Sequence, residues 1–349
     1  MNTLQRYIFK EIFPVFILGN VLLVTLLLLE KLVSLADLFF TKNVPGILIA
    51  QTIVFYLPSF LMITIPTATL MACLIGFGRL SADSEVIVMR TTGAGPMFFL
   101  KPAIALGLAA FIAGIAISTY LMPKGSSLAV DNLAEIAKTI SINDMKEKQM
   151  YDEVPGMLFY ADEKTGQDSF KNLVIIDRRS GSIVSAGSGR ITPSDEAGLV
   201  MELQNGRIVG TSERSNHSVI NFGELGANLG FDVRDKFNKR YEYFMYLDEL
   251  KANFGESPTF AFEYSKRFAL PFSAVIMSVF GMSLGIFFQR SGRSVGIPVS
   301  LLLLTVYYIL FFVALNLVRS GKLEPFSGAW LSNILFAAVT LFTLRRVLK

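Results

Sequence analysis

Asp83, Glu85 and Arg90 stand inside a polar interruption, Gly76–Pro96, that separates two long apolar runs. Acids early in a helix and a base late in it complement the backbone dipole. Ser81 has the side chain of an N-cap, Gly93 and Gly95 suit left-handed stops, and Pro96 follows them. The spacing predicts a helix of roughly ten residues between two membrane spans. Its acids lie beside apolar Val86, Ile87 and Met89. That mixture suits a groove on a partner protein better than an anionic lipid surface, which would repel Asp83 and Glu85.

A second constellation is cationic. Lys31, Lys42, Lys266, Arg267, Arg319 and Lys322 flank the apolar runs. Lysine and arginine are the usual partners of phosphate, so these positions could hold an anionic headgroup. Lys31, Lys42, Arg319 and Lys322 are the candidate contacts. Glu30, Asp37, Glu263 and Glu324 lie nearby, and ordinary snorkelling and pairing would explain the same cations equally well.

Catalytic chemistry is not visible. The single cysteine, Cys73, lies in an apolar run, and the single histidine, His217, reads as an ordinary surface residue. Nothing resembles a metal-ligand cluster, a nucleophile–base pair or a phosphate-binding glycine loop, so no cofactor or metal is expected. Asn216-His217-Ser218 matches a glycosylation sequon but reads as chance.

The elements that carry these residues follow from composition. The chain has 349 residues, 52% hydrophobic and 17% charged, which is the profile of an integral membrane protein. Six apolar runs approach the bilayer-crossing length of about 20 residues. They are Ile12–Leu29, Ala50–Phe77, Ala103–Met122, Phe268–Phe288, Val295–Val318 and Phe326–Leu344. The first lacks a cleavage site and reads as a retained span. None has an ionisable residue at its middle, which argues against a self-powered ion-coupled transporter and leaves any internal cavity apolar. Pro58 and Pro66 predict a bent second span. Gly281-x-x-x-Gly285, with Ala110, Gly114 and Ser118, offers small faces for close helix packing.

Between the third and fourth spans the chain turns polar. Residues Pro123–Phe262 carry 16 basic and 21 acidic residues, net −5, whereas the remainder carries 16 and 7, net +9. The basic balance therefore belongs to membrane flanks and not to nucleic-acid binding. A helix is predicted over Leu128–Ile140. Short β-rich runs follow at Met157–Tyr160, Asn172–Asp177, Ile183–Ser185, Leu199–Leu203, Arg207–Val209, Val219–Phe222 and Tyr241–Leu247. Turn signals separate them at Lys164-Thr165-Gly166, Arg179-Ser180-Gly181 and Asn205-Gly206, the last reading as a two-residue hairpin. The expected fold is a membrane α-helical bundle of six transmembrane helices with an inserted extracytoplasmic antiparallel β-jellyroll domain. The boundaries fall at residues 1–122, 123–265 and 266–349. The basic flanks, ten against six, put both termini and the Gly76–Pro96 helix inside.

The chain resembles the LptF/LptG permease family, the paired membrane subunits of the lipopolysaccharide-export ABC transporter of Gram-negative bacteria. The resemblance spans the whole length. It is carried by Leu4-x-Arg6-Tyr7-Ile8 with Lys10-Glu11, by Gly78-Arg79-Leu80-Ser81-x-x-Ser84-Glu85 running on to Met89-Arg90, and by Gly321-Lys322-Leu323-x-Pro325. The resemblance implies an inner-membrane, non-catalytic subunit. It would pair with a paralogous permease, a cytoplasmic ATPase dimer, a single-span periplasmic partner and a periplasmic bridge protein. It also implies that Arg79–Thr92 is the coupling helix with Glu85 at the ATPase contact. Lys31 would then lie near the lipid A phosphates, with Arg319 and Lys322 at further basic positions. Lys42, Lys266 and Arg267 have no clear counterpart. A non-transporting membrane scaffold or sensor with a protein-binding β domain is the alternative.

Overall fold

The computed structural model describes residues 2–40, 44–143, 147–151, 157–166, 168–178, 181–194, 198–211, 217–229, 241–287 and 296–348. The first half of the bundle comprises α1 (Thr3–Phe40), α2 (Gly46–Ala82), the short α3 (Glu85–Thr91) and α4 (Pro96–Ala116). A π turn (Ile117–Leu121) joins α4 to α5 (Met122–Asn143), and the predicted helix over Leu128–Ile140 falls within α5. After the insert come a 3₁₀ turn (Tyr241–Tyr243), α6 (Leu247–Ala252), α7 (Pro258–Phe287), α8 (Gly296–Arg319) and α9 (Pro325–Leu348). Among the described residues, six helical stretches are long and apolar enough to cross a membrane, as the runs predict.

α7 starts at Pro258, ten residues before the predicted span. Glu263, Lys266 and Arg267 interrupt the apolar run in sequence. On the helix they fall at i, i+3 and i, i+4 and share one face. Lys266 pairs with Glu263, and Arg267 Nε lies 3.8 Å from the same carboxylate. All three are buried. The run thus hides a buried charged cluster and not a helix end.

The chain divides into two compact units. One comprises Met1–Ser34, Ile53–Ser127 and Arg240–Lys349; the other comprises Leu35–Thr52 and Leu128–Lys239. In the first, α7 packs between α2 and α4. A Cβ added at Gly281 would lie 2.6 Å from the Leu70 carbonyl oxygen, and one at Gly285 would lie 2.8 Å from that of Leu74. On the other flank Gly114 faces Pro271, and Ser118 Oγ donates to the Arg267 carbonyl at 2.8 Å. The small-residue faces seen in the sequence are therefore packing faces. α9 is tied in by Asn333, which donates to the Ala269 carbonyl at 2.6 Å and accepts from Tyr307 Oη at 2.9 Å.

The second unit holds a six-stranded antiparallel meander in the order β1 to β6: Met150–Tyr151, Met157–Lys164, Ser169–Asp177, Ile183–Ser194, Gly198–Thr211 and His217–Leu229. Its side-chain alternation reverses along one line across the sheet. Leu173, Ala186, Gly206 and Phe222 pair on the core face; so do Phe170, Gly189, Leu203 and Leu225. Two residues, not one, separate the rows on each of β3 to β6. The pairing skips at Asp162, Asn172, Gly187, Asn205 and Gly223. Asn172 and Asn205 sit there with φ of 51°, a left-handed conformation that asparagine tolerates. The pairs on either side of the skip keep one register, so this is a row of opposed kinks across the sheet and not a bulge in one strand. It corrects the predicted Asn205-Gly206 hairpin: both residues lie inside β5, and Leu199–Leu203 and Arg207–Val209 belong to one strand. Gly206 cannot carry a side chain, because Phe222 and the Ser185 carbonyl occupy its place.

Candidate functional site

The candidate docking element forms where α2 ends. Asp83 N–H donates to the Arg79 carbonyl at 2.9 Å, closing the last turn of α2. Ser84 then adopts φ 60°, and its carbonyl accepts from Ile87 and Val88 to start α3. Ser81 is therefore not the N-cap. It lies buried inside α2, and its hydroxyl donates to the Ile286 carbonyl at 3.3 Å. Glu85 falls in the first turn of α3 as expected, while Asp83 precedes it.

α3 ends in a Schellman arrangement. Ala94 N–H reaches the Met89 carbonyl and Gly93 N–H that of Arg90, both at 3.0 Å, with Gly93 at φ 94°. Gly95 is extended and is the N-cap of α4, with Pro96 at its first position, so the second glycine is not a left-handed stop.

The seven-residue helix divides its apolar residues between two faces. Val86 and Met89 are buried in a cluster with Ile8, Ile12, Phe77, Leu80, Phe99, Ile286 and Val347. Ile87 and Val88 are 48% and 60% exposed. The predicted docking face thus changes membership: Val86 and Met89 hold the helix to its own bundle, and Ile87 and Val88 face outward. Glu85 is half-buried, and Tyr7 Oη donates to its Oε1 at 3.3 Å. Arg90 Nη2 donates to the Val347 carbonyl at 3.0 Å. Arg79 Nη2 meets Glu11 Oε2 at 2.6 Å. Sequence reading missed Tyr7 and Glu11 as neighbours of this element. Their i, i+4 spacing within the N-terminal motif was the available signal.

The cations separate into two kinds. Lys31 is half-buried on α1, with its ammonium 4.3 Å from the centroid of the Tyr56 ring on α2. Arg319 and Lys322 are exposed and share the turn that ends α8. That turn is a second Schellman arrangement, with Gly321 at φ 70° and Lys322 N–H on the Leu317 carbonyl at 2.9 Å. Lys42 lies outside the described residues. Lys266 and Arg267 have internal duties. Lys266 pairs with Glu263 and lies 4.2 Å from the Tyr243 ring centroid, and Arg267 Nη2 donates to the Glu242 carbonyl at 3.1 Å. They clamp the 3₁₀ turn to α7.

These features describe a polytopic membrane protein with an inserted antiparallel sheet and a short amphipathic helix exposed between its second and third spans. The family model described as lipopolysaccharide export system permease LptF/LptG matches residues 6–346, and the chain belongs to that family. Among similar proteins, the lipopolysaccharide export system permease protein LptF of Escherichia coli (strain K12) is 22% identical, over 96% of this chain and 93% of that protein. The LptF of Shigella flexneri matches to the same extent. An uncharacterised protein of Rickettsia prowazekii (strain Madrid E) is 24% identical over 54% of this chain and 52% of its own length. Membership makes the chain a lipopolysaccharide export permease, a non-catalytic membrane subunit.

Proposed function

We propose that this chain is one half of a permease pair in an ATP-driven lipopolysaccharide exporter, closer to the LptF member than to LptG. It lies in the inner membrane with both termini in the cytoplasm and the β domain in the periplasm. A paralogous permease completes the pair, and a dimer of cytoplasmic ATPase subunits drives it. Lipopolysaccharide enters laterally from the outer leaflet into an apolar cavity between the two permeases. Lys31, Lys42, Arg319 and Lys322 hold its phosphates. ATP binding closes that cavity through the α3 elements and passes the lipid to the β domain, then to a single-span periplasmic partner and a bridge protein.

The observation that carries this reading is the division of α3. One face is anchored in the bundle, and the other presents Ile87 and Val88 beside the Asp83–Glu85 acids. Aliphatic side chains flanked by carboxylates fit a protein groove with a basic rim. Purification of the tagged chain from its native membrane tests the reading. A soluble nucleotide-binding ATPase is expected to co-purify with a second permease. Recovery with periplasmic partners alone would favour the scaffold alternative and overturn the transport reading.

A further inference from the structure

The first turns of α1 lie against the docking element although they are about 70 to 80 residues away in sequence. Tyr7 and Glu11 stand one turn apart on one face of α1. Tyr7 reaches Glu85 at the start of α3, and Glu11 reaches Arg79 at the end of α2. The two contacts therefore straddle the Asp83–Ser84 break. Between and beside them, Ile8 and Ile12 are fully buried in the same cluster as Val86 and Met89. α1 and α2 also meet closely here, since a Cβ at Gly76 would lie 2.6 Å from Ile12 Cγ2.

We propose that Tyr7 and Glu11 are positioning residues that carry displacement of the α3 docking element into α1, the span that bears Lys31. This rests on the reading of α3 as the ATPase contact. Two kinds of bond divide the work. Glu11–Arg79 at 2.6 Å is a short charge-assisted pair and fixes α1 to the end of α2. Tyr7–Glu85 at 3.3 Å ties α1 to the first turn of α3 through Oε1, and because a carboxylate has two oxygens Glu85 can keep that bond while it meets a cation of a docked partner. Beyond this fastened end α1 leaves Leu18, Val21, Leu22, Leu26 and Leu29 outside the core of its own chain, so the polar contacts at Tyr7 and Glu11 are its link to the docking element.

The experiment uses the full permease–ATPase complex in nanodiscs. Spin labels at Leu29→Cys on α1 and Ser320→Cys after α8 report the α1 position by pulsed dipolar spectroscopy. A non-hydrolysable ATP analogue is expected to shift the distance distribution of the otherwise wild-type complex. Tyr7→Phe, which removes one exposed hydroxyl, is expected to reduce the shifted fraction about twofold. Glu11→Gln is expected to abolish the shift while leaving ATPase co-purification intact, and the exchange Glu11→Arg with Arg79→Glu is expected to restore it. The exchange keeps the pair testable should Glu11→Gln fold poorly. If Glu11→Gln and Tyr7→Phe shift as wild type does, the positioning role is wrong and the docking reading stands. If the wild-type complex itself shows no nucleotide-dependent shift, the positioning role falls, whereas failure of the docking reading is seen separately, as loss of ATPase co-purification from the wild-type complex.

Discussion

Arg90 Nη2 donates to the Val347 carbonyl at 3.0 Å, so the short helix between the second and third spans holds the last turn of the sixth. The last carbonyls of a helix lack intrahelical partners, and a cation there also meets the negative end of the dipole. Arg90 therefore links α3 to α9 by a bond that hydropathy cannot reveal. Replacing Arg90 with Gln is expected to cost about 0.3–1 kcal/mol, the usual range for a surface cation at a helix C-terminus. Thermal unfolding of the purified chain checks the loss. Hydrogen exchange is expected to rise at residues 344–347 and not at the opposite end of α9.

The α2–α7 contact is made backbone to backbone at Gly281 and Gly285. Gly281→Leu would push a side chain into the Leu70 carbonyl. The expected destabilisation is about 1–3 kcal/mol, as for other overpacked interiors, read as a lowered unfolding midpoint in detergent. Gly255→Ala is expected to leave the midpoint close to wild type, because nothing lies within 4 Å of its Cβ position.

The reversed line across the β sheet depends on residues that accept a left-handed backbone. Asn205→Val is expected to cost about 1–2 kcal/mol, because a β-branched side chain clashes at φ 51°. Asn205→Gly is expected to remain close to wild type. Limited proteolysis of the full chain, following cleavage within residues 157–229, distinguishes the two.

This line also explains where sequence reading stopped. The six spans are legible because continuous apolar runs leave no other way to satisfy the backbone in lipid. The strands are harder. Each of β3 to β6 has one kinked, unpaired position, at Asn172, Gly187, Asn205 or Gly223, so a period of two breaks in mid-strand and imitates a turn. The start of α3 was displaced for a related reason. Ser81 has the side chain of a cap, but tertiary packing buries it against Ile286 and the left-handed Ser84 takes the boundary. Lys266 and Arg267 look like flanking cations until Glu263, one turn earlier, is seen to pair with Lys266 and the Glu242 carbonyl to receive Arg267. Acid and base candidates on α3 were legible by type, but their division between bundle and solvent needed coordinates.

Glu324 begins α9. Its carboxylate accepts from the Ser327 N–H at 2.9 Å, and Pro325 takes the first helical position. That backbone hydrogen bond holds the Glu324 carboxyl below its ordinary value. A carboxylate depressed in the folded state stabilises at pH values above its ordinary range and loses that contribution as pH falls through the depressed value. Wild type is therefore expected to lose helicity at the start of α9 on acidification below the ordinary carboxylate range. Glu324→Gln is expected to lose that pH dependence, as followed by hydrogen exchange at Ser327 and Gly328.

The central claim is that Glu85 joins this permease to an ATPase. The direct measurement is the number of lipid molecules exported per ATP hydrolysed, taken in proteoliposomes holding the complete complex, for wild type and Glu85→Lys. Reversal of the charge at α3 is expected to lower ATPase recovery in purification and to cut the export-to-hydrolysis ratio by at least tenfold. Equal recovery and an unchanged ratio would contradict the account.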